Sequence, residues 1–111
     1  MTPEQRLEAF RQFVAKSPDD AFARYSLAMA LRSAGHAEDA VAEFREVARR
    51  TPDYVPTYLM LGQVLEAMSR DVEAARVYED GIAAATRKHD GHAEGELRQA
   101  LEVVRSRGAV R

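Results

Sequence analysis

The chain has 111 residues, of which 46% are hydrophobic and 31% charged, a balance typical of one globular domain and not of a disordered segment. Acidic and basic residues are interleaved and sum to a formal net charge of −2, which argues against a phosphate-binding surface and so against nucleic acid as a partner. The absence of cysteine excludes disulfides and thiolate metal sites, and no apolar run approaches the ~20 residues of a membrane span.

The N-terminal residues MTPEQR lack the basic-then-apolar layout of a secretory signal, so we expect a cytoplasmic protein. Arginine outnumbers lysine by 14 to 2, and alanine occurs 20 times. This bias is typical of a GC-rich bacterial genome.

The first predicted helix spans residues 3–16. Thr2 is placed as its N-cap, Pro3 suits the first helical position, and Gln5 can complete a capping box. Its apolar stripe is Leu7, Phe10 and Val14, which recur at the helical period of 3.6, and Phe13 lies alongside it.

The next four predicted helices span residues 19–34, 37–50, 53–68 and 71–87. The segments Ser17-Pro18-Asp19 and Thr51-Pro52-Asp53 carry the same start signal, a proline for the first turn and an aspartate that favours the positive end of the helix dipole. Gly35-His36 and Ser69-Arg70 are the predicted turns within the two hairpins.

The last predicted helix spans residues 92–105 and follows the break at His89-Asp90-Gly91. It has a single narrow apolar face, which is typical of a helix that caps the end of a stack and turns its outer face to water. We expect residues 106–111 to be frayed.

Residues 18–52 and 52–86 carry one sequence pattern twice, with a period of 34 residues. A period of this length is the signature of stacked helical hairpins. Each copy has a leucine–small pair, a second leucine, a small residue early in the second helix and an aromatic residue four positions later: Leu27-Ala28, Leu31, Ala40 and Phe44, then Leu61-Gly62, Leu65, Ala74 and Tyr78.

In these residues the chain resembles the tetratricopeptide repeat family. The resemblance implies an all-α fold, a right-handed α-solenoid of antiparallel helical hairpins with about six helices. Residues 1–111 then form one domain, with a half repeat at 3–16, full repeats at 19–50 and 53–87, and a capping helix at 92–105. Two positions depart from the family pattern, Arg24 where a large aromatic residue is common and Thr86 where the closing proline is expected.

The resemblance also implies that the first helices of the hairpins line a concave groove. On that basis the candidate partner-binding residues are Phe22, Tyr25, Met29, Arg32, Leu59, Met60, Gln63 and Glu66. Tyr25, Met29 and Met60 stand where some relatives carry a clamp for a terminal carboxylate, so a carboxylate-tail partner is disfavoured. The alternative is that the apolar members of this set pack in the core, as apolar residues at helical spacing usually do.

Other chemistry is poorly supported by the sequence. His89-Asp90-Gly91-His92 resembles a metal site, but a structural zinc site needs four ligands, and a turn is the simpler interpretation. Acidic pairs such as Glu94 with Glu96 are explained by helix starts, and no nucleophile elbow or phosphate-binding glycine loop occurs. We therefore predict no enzyme activity and no cofactor.

The leading hypothesis is a non-catalytic interaction module that binds a protein or peptide partner through the groove. The alternative is a structural self-association unit, a homodimer, because repeat arrays generally need about three units for stability and only two are complete here.

Overall fold

The chain forms six α-helices joined by short turns, and no β-strand occurs in residues 1–108, the part that the computed structural model describes. The helices are α1 (Pro3–Lys16), α2 (Ala21–Ser33), α3 (Ala37–Arg50), α4 (Pro56–Ala67), α5 (Asp71–Arg87) and α6 (Gly91–Ser106). Each helix packs against the next, and α6 also contacts α4. This architecture confirms the predicted all-α solenoid of antiparallel hairpins.

Two helices begin two or three residues later than the sequence patterns predict. Helix α2 starts at Ala21 and not at Asp19, because the carboxylate of Asp20 accepts a hydrogen bond of 3.2 Å from the Ala23 N–H and so acts as the N-cap. Helix α4 starts at Pro56, whose ring fixes φ near the helical value and whose missing N–H needs no partner at that position.

Helix α6 is one residue longer at each end than predicted. It includes Gly91, since Asp90 is its N-cap and accepts a hydrogen bond of 3.0 Å from the Ala93 N–H. Ser106, which we expected to be frayed, is its last residue. The part of that expectation that concerns residues 109–111 lies outside the described residues.

The core is built by close approach of helices at small residues. Gly62 on α4 lies against the ring of Tyr78 on α5, and a Cβ at position 62 would overlap that ring. A Cβ at Gly81 would lie 2.6 Å from Cβ of Tyr58 and 3.0 Å from Cδ2 of Leu97. The missing side chain at position 81 therefore lets α5 pack closely on both α4 and α6. The two glycines therefore set the spacing of three helices.

Arg24 departs from the repeat pattern, yet its contacts parallel those of Tyr58, the residue 34 positions later. The Tyr58 hydroxyl donates to the carbonyl of Pro52 at 2.5 Å, and the Arg24 guanidinium donates to the carbonyl of Pro18 at 3.3 Å. Arg24 also donates to Glu43 on α3 at 2.8 Å. A different side chain thus reaches the carbonyl of the equivalent proline in each copy.

Thr86 is the second departure from the repeat pattern, since it stands where the closing proline is expected. The consequence of this departure is a longer helix. Without a proline at that position α5 continues for 17 residues, against 14 in α3. The Thr86 hydroxyl donates to the Ile82 carbonyl at 2.9 Å and contacts a carboxylate oxygen of Glu94 at 3.1 Å, so this last part of α5 is tied to α6.

Candidate functional site

One side of the stack is lined by α2, α4 and α6, and we call the surface between them the groove. Four of the predicted residues on it are only partly buried and pack with one side against the core: Tyr25, Met29, Leu59 and Met60. Each of these side chains therefore packs on the core and also keeps exposed surface. Side chains held in this way are rigid enough to serve as contact points.

Tyr25 is held in place by two aromatic neighbours. Its ring lies 5.9 Å from the buried ring of Phe44 and 5.4 Å from that of Tyr54, measured between ring centroids. Burial raises the pKa of the Tyr25 hydroxyl, against the lowering effect of the nearby Arg32. The aromatic contacts hold the ring while part of it remains accessible.

Arg32, near the end of α2, reaches across to α4. Its Nη1 lies 3.5 Å from Oε1 of Gln63 and 3.6 Å from Sδ of Met60. Contacts of this length to neutral atoms are weak. The guanidinium therefore places a positive charge over the α2–α4 part of the groove with little internal compensation.

Glu66 is already engaged within the protein. Its carboxylate accepts hydrogen bonds from the Tyr78 hydroxyl and from the guanidinium of Arg107, the residue that follows α6. Its side chain is only 19% exposed. Burial and the Glu66 carboxylate both raise the pKa of Tyr78. Glu66 thus joins α4, α5 and the end of α6.

Phe22 differs from the other predicted groove residues because it is 59% exposed. It is on the first turn of α2, and its surface is mostly free to solvent. A phenylalanine this exposed is uncommon, and it is a useful marker of a contact surface when other apolar residues lie near it.

A cleft of about 260 Å³ opens in the groove between α4 and the start of α6. It brings together three of the predicted residues, Tyr25, Leu59 and Met60, with seven others that were not among the predicted groove residues. Those seven come from the start of α4 with the residue before it and from the α6 region: Val55, Pro56, Asp90, His92, Ala93, Glu96 and Leu97.

The α6 residues were missed because α6 was interpreted only as a cap. The available signal was Leu97, which follows Leu61 by 36 residues and so nearly continues the repeat. In the structure Leu97 is buried next to Gly81, and α6 lies beside α4 as a further groove helix.

The basic residues at the end of α3 are paired with acids. Arg45 donates to Glu73 at 2.7 Å, and Arg49 and Arg50 donate to Glu46 at 2.7 and 2.6 Å. Hydrogen bonds from Arg49 and then Arg50 lower the pKa of Glu46 to about 2. Arginines with carboxylate partners offer less attraction to a nucleic-acid phosphate than free ones.

The remaining polar candidates have local explanations. His89 and His92 are exposed, and residues 1–108 contain no group of three or more side chains placed to hold a metal ion. Hydrogen bonds from Arg98 and Thr86 lower the pKa of Glu94. Over the same residues, each helix is too short or too polar to cross a bilayer.

Comparison with known proteins places this geometry in a family. The tetratricopeptide repeat model matches residues 2–107. TPR repeat-containing protein PA0015 from Pseudomonas aeruginosa is 29% identical over 91 residues, which are 82% of this chain and 87% of that protein. A tetratricopeptide repeat domain protein from Salinibacter ruber, solved by NMR, is 34% identical with a TM-score of 0.76, covering 79% of this chain and 89% of its own.

A more distant structure has the same fold. PcrH, crystallised in complex with the chaperone binding region of PopD, superposes with a TM-score of 0.87 at 15% identity and covers 96% of this chain and 80% of its own. The chain belongs to the tetratricopeptide repeat family, whose members are generally protein-interaction modules without catalytic activity.

Proposed function

We propose that this chain is a non-catalytic module that holds a segment of a partner protein in the groove between α2, α4 and α6. The observation that carries the proposal is the set of partly exposed side chains around the cleft. Tyr25, Leu59 and Met60 present aromatic, branched and flexible apolar surface while the core supports them from behind. Contact residues of this kind suit recognition by shape and a few anchors.

The fold supports the proposal by analogy. PcrH holds a region of another protein and has the same helical architecture. Shared fold alone carries no partner identity, because repeat proteins keep the scaffold and vary the exposed face. The residues of this chain, and not the likeness, therefore define what the groove accepts.

A random peptide library displayed on phage tests the groove directly. Peptides selected on the wild-type protein are measured against Met60→Arg, which places a long charged side chain in the cleft. We expect affinity to fall at least about tenfold, the equivalent of about 1.4 kcal/mol. Val72→Arg is the matched control, since Val72 is 59% exposed on α5 and does not line the cleft.

Circular dichroism establishes that both variants keep their helices. Equal affinity of the wild type and Met60→Arg for every selected peptide would refute binding in the groove. Failure to select any peptide that binds the wild type would also count against the proposal.

Self-association is the second candidate, and two exposed phenylalanines favour it. Phe13 on α1 is 38% exposed and Phe22 on α2 is 59% exposed. Burying both in a second copy would add apolar contact to a small array. Sedimentation equilibrium distinguishes the two functions: a dimer that Phe22→Ser dissociates supports assembly, and a monomer that binds the selected peptides excludes it as the main role.

A further inference from the structure

The cleft between α4 and α6 has a negative charge. Its ten lining residues include two acidic side chains, Asp90 and Glu96, and no lysine or arginine. Oδ1 of Asp90 accepts from the Ala93 N–H at 3.0 Å, and Oε1 of Glu96 lies 3.3 Å from Nε2 of His92. Each carboxylate therefore keeps a second oxygen for a ligand.

The walls of the cleft are mainly apolar. Leu59 and Met60 form one side on α4, and Tyr25 lines the same space from α2. A cation near an aromatic face is attracted by the ring quadrupole. The combination of apolar walls, an aromatic ring and carboxylates suits a side chain with a long aliphatic stem and a positive head group.

Charged residues beside the cleft limit where a basic group of the partner is favoured. Lys88 borders the adjoining surface together with Asp53 and Asp90, and Asp53 is paired with Arg87 at 2.8 Å. Arg32, near the end of α2, lies 3.6 Å from Sδ of Met60 and does not itself line the cleft. A second cation in the partner is thus repelled near Arg32, which confines the preference for a basic group to the α6 end of the groove.

We infer that the cleft takes a lysine or arginine side chain of the partner segment, with its stem against Leu59 and Met60 and its head group at the carboxylates of Asp90 and Glu96. This inference rests on the proposed function and specifies its partner, a segment in which apolar residues flank one basic residue. Acidic side chains at that position are disfavoured by both carboxylates.

The test is a charge reversal within the peptide selection. The same library is selected on the wild type and on Glu96→Lys, with Glu102→Lys as the control. Glu102→Lys makes the same change of charge on the same helix as Glu96→Lys. Glu102 is exposed, but it does not line the cleft. The wild type and the control should both enrich lysine or arginine at one position, and Glu96→Lys should lose that enrichment, because its new positive charge offsets the remaining carboxylate of Asp90.

Affinity measurements on single peptides give the size of the effect. Because Glu96 is half exposed, replacing the basic residue by norleucine should weaken wild-type binding about threefold to fivefold. That difference should shrink as salt is added, since salt screens the charge but not the apolar contacts.

The outcomes separate this inference from the proposed function. Peptides that depend on Met60 but show no basic preference, or a preference unchanged by Glu96→Lys, would overturn the cationic occupant and leave the groove as the binding site. Peptides indifferent to Met60→Arg would overturn both.

Discussion

At the residue scale, glycine determines how closely the helices of this protein approach. Gly62 is buried under the ring of Tyr78, which is itself fully buried and has no room to move aside. Glycine inside a helix costs about 1 kcal/mol relative to alanine. Its presence at position 62 is explained by the missing side chain, because any Cβ there would push α4 away from α5.

We predict that Gly62→Ala lowers the free energy of unfolding by about 2 kcal/mol, because overpacking of a rigid core outweighs the better helix propensity of alanine. Gly95→Ala is the matched control on α6, where nothing lies within 4 Å of the new Cβ. It should raise stability by about 0.5–1 kcal/mol. Urea denaturation measures both values, and the same sign for the two substitutions would contradict the packing argument.

At the element scale, the turns between helices are equivalent in the two copies but are built from different residues. Gly35 has a φ of +85° between α2 and α3, and Ser69, the residue 34 positions later, has a φ of +60° between α4 and α5. Left-handed backbone costs a non-glycine residue roughly 1–2 kcal/mol. The second hairpin therefore contains a strained turn that the first avoids.

We expect Ser69→Gly to raise the free energy of unfolding by about 0.5–1 kcal/mol, because glycine relieves the strain but gains freedom in the unfolded chain. Ser33→Gly should lower it by a similar amount, since Ser33 is exposed at the last helical position of α2. Thermal unfolding followed by circular dichroism resolves the two directions. A destabilised Ser69→Gly protein would show that the turn conformation is not what limits the second hairpin.

At the scale of the whole molecule, one continuous core runs from α1 to α6. Leu7 at one end and Leu97, Leu101 and Val104 at the other belong to the same cluster of buried side chains. Helix α6 is therefore part of the folded unit as well as one wall of the cleft, and Arg107 with Glu66 fastens its end to α4.

We predict that Leu97→Ala lowers the global free energy of unfolding by about 2–4 kcal/mol, the usual cost of truncating a buried leucine. Val103→Ala, on the same helix but 52% exposed, should change it by less than about 0.5 kcal/mol. Amide hydrogen exchange provides the critical observation. Faster exchange in α6 alone, with α2 to α5 unchanged, would mean that α6 docks independently of the rest.

Some groove residues were predictable from the sequence, and others were not. Tyr25, Leu59 and Met60 were candidates because the resemblance places them on the first helices of the two hairpins, and all three line the cleft. Glu66 could not be interpreted from its helix position, since its carboxylate is bonded to Tyr78 and to Arg107, which is 41 residues away. No local pattern reports a contact between residues so far apart.

The sequence by itself determined the helices, the hairpins and the repeat, because capping residues, helix breakers and apolar spacing act over a few residues and recur every 34. Only the tertiary structure decided that Asp90 and Glu96 line the same cleft as Tyr25. This arrangement depends on how α6 packs on α5. It therefore depends on the cumulative geometry of close-packed helices. Such geometry arises from contacts distant in sequence, and no short segment contains it.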